Sequence, residues 1–300
     1  MVKKSIKLFL IIPILTAVVF FTGCNVDLPG LFIANDLDVR LEDRDNFTFL
    51  VNSSRNWKDP IIDHPLGNSY KFIVLSDTHI ENGEALSKDK KINLKEKLPS
   101  IISANDIKFV VITGDITQDA TVKDIDKFIE IADLLGVPCY PVAGNHDIYY
   151  RDDASKKGKA GWSIWREKIG STNYRIDFDT ASLFILDSAN AFLGKDQLDW
   201  LEREIKTTKK NVFVFTHAPL FVTGPADMQQ MTDTKERARI LSILKGKCDI
   251  MFMGHLHKQM ENTTGGVIYL AQDSYIEDKA YYVVDVKANG EVIWERKVLE

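Results

Sequence analysis

Three hundred residues, 45% hydrophobic and 27% charged, make one large domain or two small ones, with apolar material for a full core and no need of disulfide staples. The formal net charge of −5 argues against a general nucleic-acid binder, which would carry a basic face, so no nucleic-acid partner is expected.

The chain opens on a targeting pattern. Lys3, Lys4 and Lys7 are followed by an almost wholly apolar run from Leu8 to Phe21, broken by Pro13 and Thr16, and then by Gly23 and Cys24. This is the layout of a secretory signal, too short and wrongly flanked for an ordinary membrane span. Phe21-Thr22-Gly23-Cys24 resembles a bacterial lipobox, with Phe in the place that motif usually gives to Leu. The resemblance implies a lipoprotein signal peptide over residues 1–23, a lipidated Cys24, and anchoring through that lipid to the outer face of the cell membrane. An uncleaved anchor helix and a soluble secreted protein remain the alternatives.

Residues 24–70 read as a polar, proline-punctuated linker or extension. Phe47-Thr48-Phe49-Leu50-Val51 has the β-propensity of a strand, and His64 lies outside every motif as a surface or packing residue. A regular alternation follows. Strands are expected at Lys71–Leu75, Phe109–Ile112 and Cys139–Val142, with helices at Leu86–Ala104 and Val122–Leu135 between them, which implies right-handed crossovers and a parallel sheet. Pro141 places the third strand at an edge or an early end.

Ile148 to Gly170 is a polar and aromatic insert with Tyr149, Tyr150, Trp162 and Trp165. Strands at Tyr174–Phe178 and Leu183–Leu186, a helix at Asp196–Lys206, a strand at Val212–Phe215, a helix at Thr234–Leu244 and a strand at Ile250–Met253 come next. The tail, with runs at Val267–Leu270, Tyr281–Val286 and Glu291–Val298 and no helices between them, predicts a second, mostly antiparallel sheet packed on the first. Cys139 and Cys248 read as buried thiols, with a disulfide between them left open.

Five of the six histidines fall in short motifs, each after a strand-like run: Asp77-Thr78-His79, Gly144-Asn145-His146-Asp147, Thr216-His217-Ala218-Pro219 and Gly254-His255-Leu256-His257, joined by Gly114-Asp115. Loops beyond the carboxyl ends of strands in an open α/β sheet converge on one crevice, so ligands distant in sequence become neighbours. In extended backbone, residues i and i+2 face one side, which would aim Asp77 with His79, and His255 with His257, at that crevice. Gly114, Gly144 and Gly254 permit tight turns and close backbone approach. Imidazoles mixed with hard oxygen ligands suit a pair of divalent transition-metal ions, Mn, Fe, Zn or Co, and Asp115, alone in its loop, is the natural bridge. Asp-x-His and Gly-Asp arise often by chance. Gly-Asn-His-Asp and Gly-His-x-His are more specific, and all five in this order are hard to obtain by accident.

With these motifs the chain resembles the calcineurin-like metallophosphoesterase superfamily from about Phe72 to the C-terminus, and within it the class III cyclic-nucleotide phosphodiesterases and glycerophosphodiesterases. Gln197-Leu198-Asp199-Trp200-Leu201 is similar to a helix of that branch. The resemblance implies an α/β fold, a four-layer α/β/β/α sandwich of two mixed sheets flanked by helices, over residues 71–300. It also implies one metal held by Asp77, His79, Asp115 and His257, a second held by Asp115, Asn145, His217 and His255, and His146 just outside them to meet substrate. The purple acid phosphatase branch has a tyrosinate where this chain has Gln118.

The expected activity is phosphodiester hydrolysis by a metal-activated hydroxide, with His146, oriented by Asp147, assisting the leaving oxygen. A phosphomonoesterase, nucleotidase-like, and a surface metal-binding protein without turnover are the alternatives. The insert at Tyr149–Trp165 and the loop at Phe221–Thr232 are the expected cleft walls, and Lys156, Lys157 and Lys159 either attract phosphate or are solvated. An exported location favours glycerophosphodiesters, phospholipid headgroups, wall polymers and extracellular nucleotides over cyclic AMP as substrates. Oligomeric state is not readable.

Overall fold

A computed structural model describes residues 40–41, 65–148, 161–222 and 229–300. The expected signal peptide, Cys24, the run at Phe47–Val51, His64, Tyr149, Tyr150, Lys156, Lys157 and Lys159 lie outside the described residues. Among the described residues, no helix is long and apolar enough to cross a membrane.

The first half follows the expected alternation. β1 (Tyr70–Leu75) and β2 (Ile107–Ile112) are parallel neighbours, and Phe72–Leu75 and Phe109–Ile112 are buried throughout, as central strands covered on both faces must be. β3 (Cys139–Pro141) is the sheet edge, where Pro141 removes no needed ladder donor. α1 (Leu94–Asn105) buries Leu94, Leu98 and Ile102, one stripe at four-residue spacing. It starts later than the sequence pattern indicates. Asn93 caps it by accepting from the Lys95 amide, and the preceding stretch is a loop pinned by the Tyr275 hydroxyl, which donates to the carbonyls of Ala85 and Ile92. α2 (Val122–Leu134) is capped by Thr121 and buries Ile125, Phe128, Ile131 and Ala132.

The short α3 (Asn145–Ile148) and α4 (Gly161–Lys168) follow β3. β4 (Tyr174–Asp177) and β5 (Ala181–Ile185) form the expected hairpin. α5 (Lys195–Glu204) continues into a 3-10 turn at Ile205–Thr207. Then come β6 (Asn211–Phe215), α6 (Thr234–Leu244), β7 (Ile250–Met253), β8 (Met260–Thr264), β9 (Val267–Ala271), α7 (Tyr275–Asp278), β10 (Ala280–Val286) and β11 (Val292–Val298).

The tail corrects one expectation, for it does not form a sheet of its own. β9 inserts beside β7 in parallel and β8 edges it, completing a sheet of order β4-β5-β6-β7-β9-β8 whose four inner strands are parallel. β10 and β11 instead complete the first sheet, in the order β11-β10-β1-β2-β3, with β10 antiparallel to β1. Burial explains the division. β9 is buried at four of its five positions and needs cover on both faces, whereas β11 is half-buried or exposed throughout and suits an edge.

Between the sheets, Phe72 stacks on Phe109 with centroids 4.5 Å apart and meets Phe213 edge-on at 5.0 Å. Such pairs contribute about 0.5–1.5 kcal/mol each beyond their burial. Along β6 the faces alternate: Phe213 and Phe215 join this inner core, while Val212 and Val214 pack with Leu198 and Leu201 of α5 and Ile240 and Leu244 of α6. Helices therefore flank a pair of mixed sheets, the α/β/β/α order. Cys139 in β3 and Cys248 ahead of β7 are buried free thiols, so no disulfide joins them.

Candidate metal centre

All five motif loops leave the carboxyl ends of β1, β2, β3, β6 and β7, and their side chains meet in one place. On one side, His79 Nε2 and His257 Nε2 face each other at 3.2 Å, with Asp77 Oδ1 3.2 Å from His257 Nε2 and 3.9 Å from His79 Nε2. On the other, His217 Nε2 lies 3.1 Å from His255 Nδ1, 3.0 Å from Asn145 Oδ1 and 3.2 Å from Asp115 Oδ1. The second oxygen of Asp115 turns to the first group, 3.8 Å from His79 Nε2. Asp115 thus presents one oxygen to each group. His146 stands beside them, its ring 4.8 Å from that of His79.

The backbone reaches this arrangement in a way the sequence does not indicate. Asp77, His79, Asp115, His255 and His257 all have left-handed backbone, with φ of 54°, 41°, 46°, 72° and 52°. The paired side chains share a direction because the chain kinks at each, not because it is extended. Asp and His tolerate this region better than branched residues, yet such strain costs on the order of 1–3 kcal/mol per residue and persists only where the surroundings hold it. Here the loops after β1 and β2 hold each other: the Asp77, His79 and Ile80 amides donate to the carbonyls of Gly114, Asp115 and Ile116 at 3.0, 2.9 and 2.8 Å. Close approach explains the glycines. A Cβ on Gly114 would overlap the His217 ring, and one on Gly144 would overlap the backbone nitrogen and Oδ1 of Asp115.

The donor set fits divalent cations. His79 Nδ1 lies 2.8 Å from the amide oxygen of Gln118, and His217 Nδ1 lies 2.9 Å from the Thr113 carbonyl. Both acceptors put the ring proton on Nδ1 and leave the Nε2 lone pair aimed inward. Those lone pairs face other lone pairs and carboxylate oxygens, and the buried Asp77 Oδ1 receives no aligned hydrogen bond. A cation resolves such a confrontation. In the bare chain a proton does so. Burial disfavours the charged His217 ring, but the facing Asp115 carboxylate prevails and pushes it up to about 9. Burial likewise opposes charge on Asp115, and the His217 ring overcomes it, holding the carboxyl well below the usual carboxylate range. Burial and the neighbouring His217 push His255 down to about 4. Among the described residues, three groups of side chains have atoms close enough to share an ion: Asp77, His79 and His257; Asp115, His217 and His255; and His79, Asp115 and His146.

Asp147 requires a correction. It does not orient His146. Its Oδ2 accepts from the amides of Ile116 and Gly144, and its Oδ1 from the amide and hydroxyl of Thr117, so the carboxylate clamps the Asp115 loop to the Asn145 loop. His146 Nδ1 lies 2.8 Å from the Gln118 carbonyl oxygen instead. Two supporting roles were not legible in the sequence. Gln118 stands out there only as the residue in the place of the purple acid phosphatase tyrosinate, three residues beyond Asp115 in the same loop. Ser188, whose hydroxyl accepts from the His217 and Ala218 amides at 3.1 and 2.8 Å, gave no signal.

The expected aromatic walls serve packing where they are described. Trp165 is fully buried, Trp162 rests on the core, and Phe221 meets Tyr269 edge-on at 5.4 Å. Residues 223–228 of the second expected wall lie outside the described residues.

The fold and the histidine–carboxylate cluster define a metal-dependent hydrolase framework. The family model for calcineurin-like phosphoesterases matches residues 70–259, and the chain belongs to that family. It is accordingly a metal-dependent phosphoesterase. Among relatives, a probable cyclic nucleotide phosphodiesterase of Fibrobacter succinogenes is 27% identical over 224 residues, covering 70% of this chain and 76% of that protein. A probable glycerophosphodiester phosphodiesterase of Arcobacter nitrofigilis is 29% identical over 217 residues, 67% of this chain and 77% of that one. A dimetal phosphatase from Danio rerio shares the fold, with a TM-score of 0.54 at 14% identity over 77% of this chain and 99% of that one.

Proposed function

We propose that the protein is a binuclear phosphodiesterase. The observation that carries this reading is the Asp115 carboxylate, one oxygen turned to the His217 group and the other to the His79 group. Asp77, His79, Asp115 and His257 would hold one ion, and Asp115, Asn145, His217 and His255 the other. Bound there, a pair of divalent ions lowers the pKa of water toward neutrality and offsets negative charge on phosphoryl oxygens.

The chain's own residues supply the rest. The Nδ1-to-carbonyl contacts of His79 and His217 keep both rings in the tautomer that presents Nε2 inward. His146 Nδ1 donates to the Gln118 carbonyl, which fixes the ring; carrying a second proton on Nε2, it would give that proton to the leaving alkoxide oxygen and be left as the neutral imidazole. Asp147 keeps Asp115 and Asn145 at fixed separation. Two relatives named as diesterases support phosphodiesters as the substrate class.

The basic, apolar, Gly-Cys layout of residues 1–24 supports an exported lipoprotein held at the outer face of the cell membrane by Cys24. In that location lipid headgroup and wall-derived diesters are the substrates at hand.

Hydrolysis of bis-p-nitrophenyl phosphate and p-nitrophenyl phosphate with Mn²⁺ present tests the reading. The diester is expected to be turned over faster. Preference for the monoester would make the protein a phosphomonoesterase, and turnover of neither would leave a metal-binding protein.

A further inference from the structure

Arg40 lies far ahead of β1 in sequence, yet it is 2% exposed, and its neighbour Leu41 is 4% exposed. Its guanidinium reaches a carboxylate the proposed chemistry does not use. Nε donates to Asp187 Oδ2 at 2.7 Å, and one terminal nitrogen donates to Asp187 Oδ1 at 3.2 Å and to Asn190 Oδ1 at 2.5 Å. Asp187 is wholly buried. Burial alone would raise its carboxyl, but the Arg40 charge reverses this and holds it below the usual carboxylate range. A buried carboxylate is stable when gripped at two points by a guanidinium and costly when left alone.

Asp187 to Asn190 is the loop that follows β5, on the same carboxyl-end rim as the metal centre. Gln197 of α5 brackets it, its Oε1 accepting from the Asp187 amide and its Nε2 donating to the Asp187 carbonyl, both at 2.8 Å. The next residue, Ser188, accepts from the His217 and Ala218 amides and from the Thr216 hydroxyl. The Arg40 anchor and the hydroxyl that fixes the His217 backbone are therefore on adjacent residues of one loop.

We infer that Arg40 is a positioning residue for the His217 side of the metal centre, and that Arg40 and Leu41 belong to the catalytic body rather than to a spacer. This rests on His217 being a metal ligand. Because Asp187 and Ser188 are consecutive, freeing the Asp187 carboxylate shifts the hydroxyl that sets His217, while the Asp77, His79 and His257 side chains make no direct hydrogen bond to this loop among the described residues.

The test is titration of the full chain with Mn²⁺ alone, with the melting temperature recorded alongside, for the wild type, Arg40→Ala and Arg40→Lys. The wild type is expected to bind two ions. Arg40→Ala is expected to weaken one of them by about tenfold or more and leave the other unchanged, as loss of a supporting contact does, with Arg40→Lys intermediate. A lower melting temperature with both affinities intact, or equal weakening of both, would overturn the inference. If Arg40→Ala does not fold, Arg40→Lys decides: unchanged affinities in the folded variant overturn it. A wild type that binds fewer than two ions defeats the binuclear reading itself, whatever Arg40 does.

Discussion

Gln118 holds two site histidines at once: its side-chain oxygen lies 2.8 Å from Nδ1 of His79, and its carbonyl oxygen lies 2.8 Å from Nδ1 of His146. The side-chain contact can be removed without disturbing the main-chain one. Gln118→Leu is expected to weaken the ion on the His79 side by about 10–100-fold, the usual effect of losing an outer partner of a ligating histidine. Gln118→Glu keeps an acceptor in place and should bind close to the wild type. Equal Mn²⁺ affinity in the Leu variant and the wild type would show that Gln118 does not set the His79 tautomer.

His146 is the one motif histidine outside both proposed ligand sets. His146→Ala is expected to retain two metal ions while kcat on a diester falls by about 10²–10⁴-fold, the range for a lost general acid. Elemental analysis of the purified variant beside its kinetics makes the check. Loss of an ion together with activity would move His146 into the ligand set.

His217 gives metal binding a pH dependence of defined sign. In the bare chain Asp115 pushes the ring up to about 9, above its usual 6.5, so at pH 7 an arriving ion must displace a proton. Mn²⁺ affinity is expected to rise by up to about tenfold per pH unit from pH 7 to about pH 9 and then level off. The same shift contributes stability to the metal-free fold. That contribution is fully present below pH 6.5 and is lost as pH rises through about 9. Calorimetric titration in buffers of different ionisation enthalpy reads the released proton. Binding without proton release at pH 7 would contradict the assigned pairing of His217 with Asp115.

Gly144 is required by contact rather than by its backbone angle. In Gly144→Ala the added methyl displaces Asp115, with an expected loss of about 1–3 kcal/mol from overpacking and a larger loss of metal binding. Urea unfolding paired with Mn²⁺ titration separates the two effects. A variant that binds metal normally would mean the Asp115 loop can yield.

Much of this was legible in the sequence because the signals are local. The apolar runs at Phe72–Leu75, Phe109–Ile112, Val212–Phe215 and Ile250–Met253 are buried strands, and the histidine and carboxylate motifs that meet at the candidate site lie just past them. Pro141 marked an edge, and β3 is one. What escaped depends on partners remote in sequence. The division of the tail turns on which strands must be covered on both faces, which Val267–Ala271 alone does not disclose. The left-handed backbone at Asp77 and His255 is imposed by contacts between loops that carry no sequence pattern. The clamp made by Asp147 and the grip of Arg40 on Asp187 join residues whose spacing says nothing of their meeting.

Asp115 is proposed to bridge two ions, and anomalous diffraction from crystals of the protein soaked in Mn²⁺ locates them. Two peaks are expected, flanking the Asp115 carboxylate, one beside His79 and His257 and the other beside His217 and His255. A single peak, or peaks away from that carboxylate, would contradict the bridge.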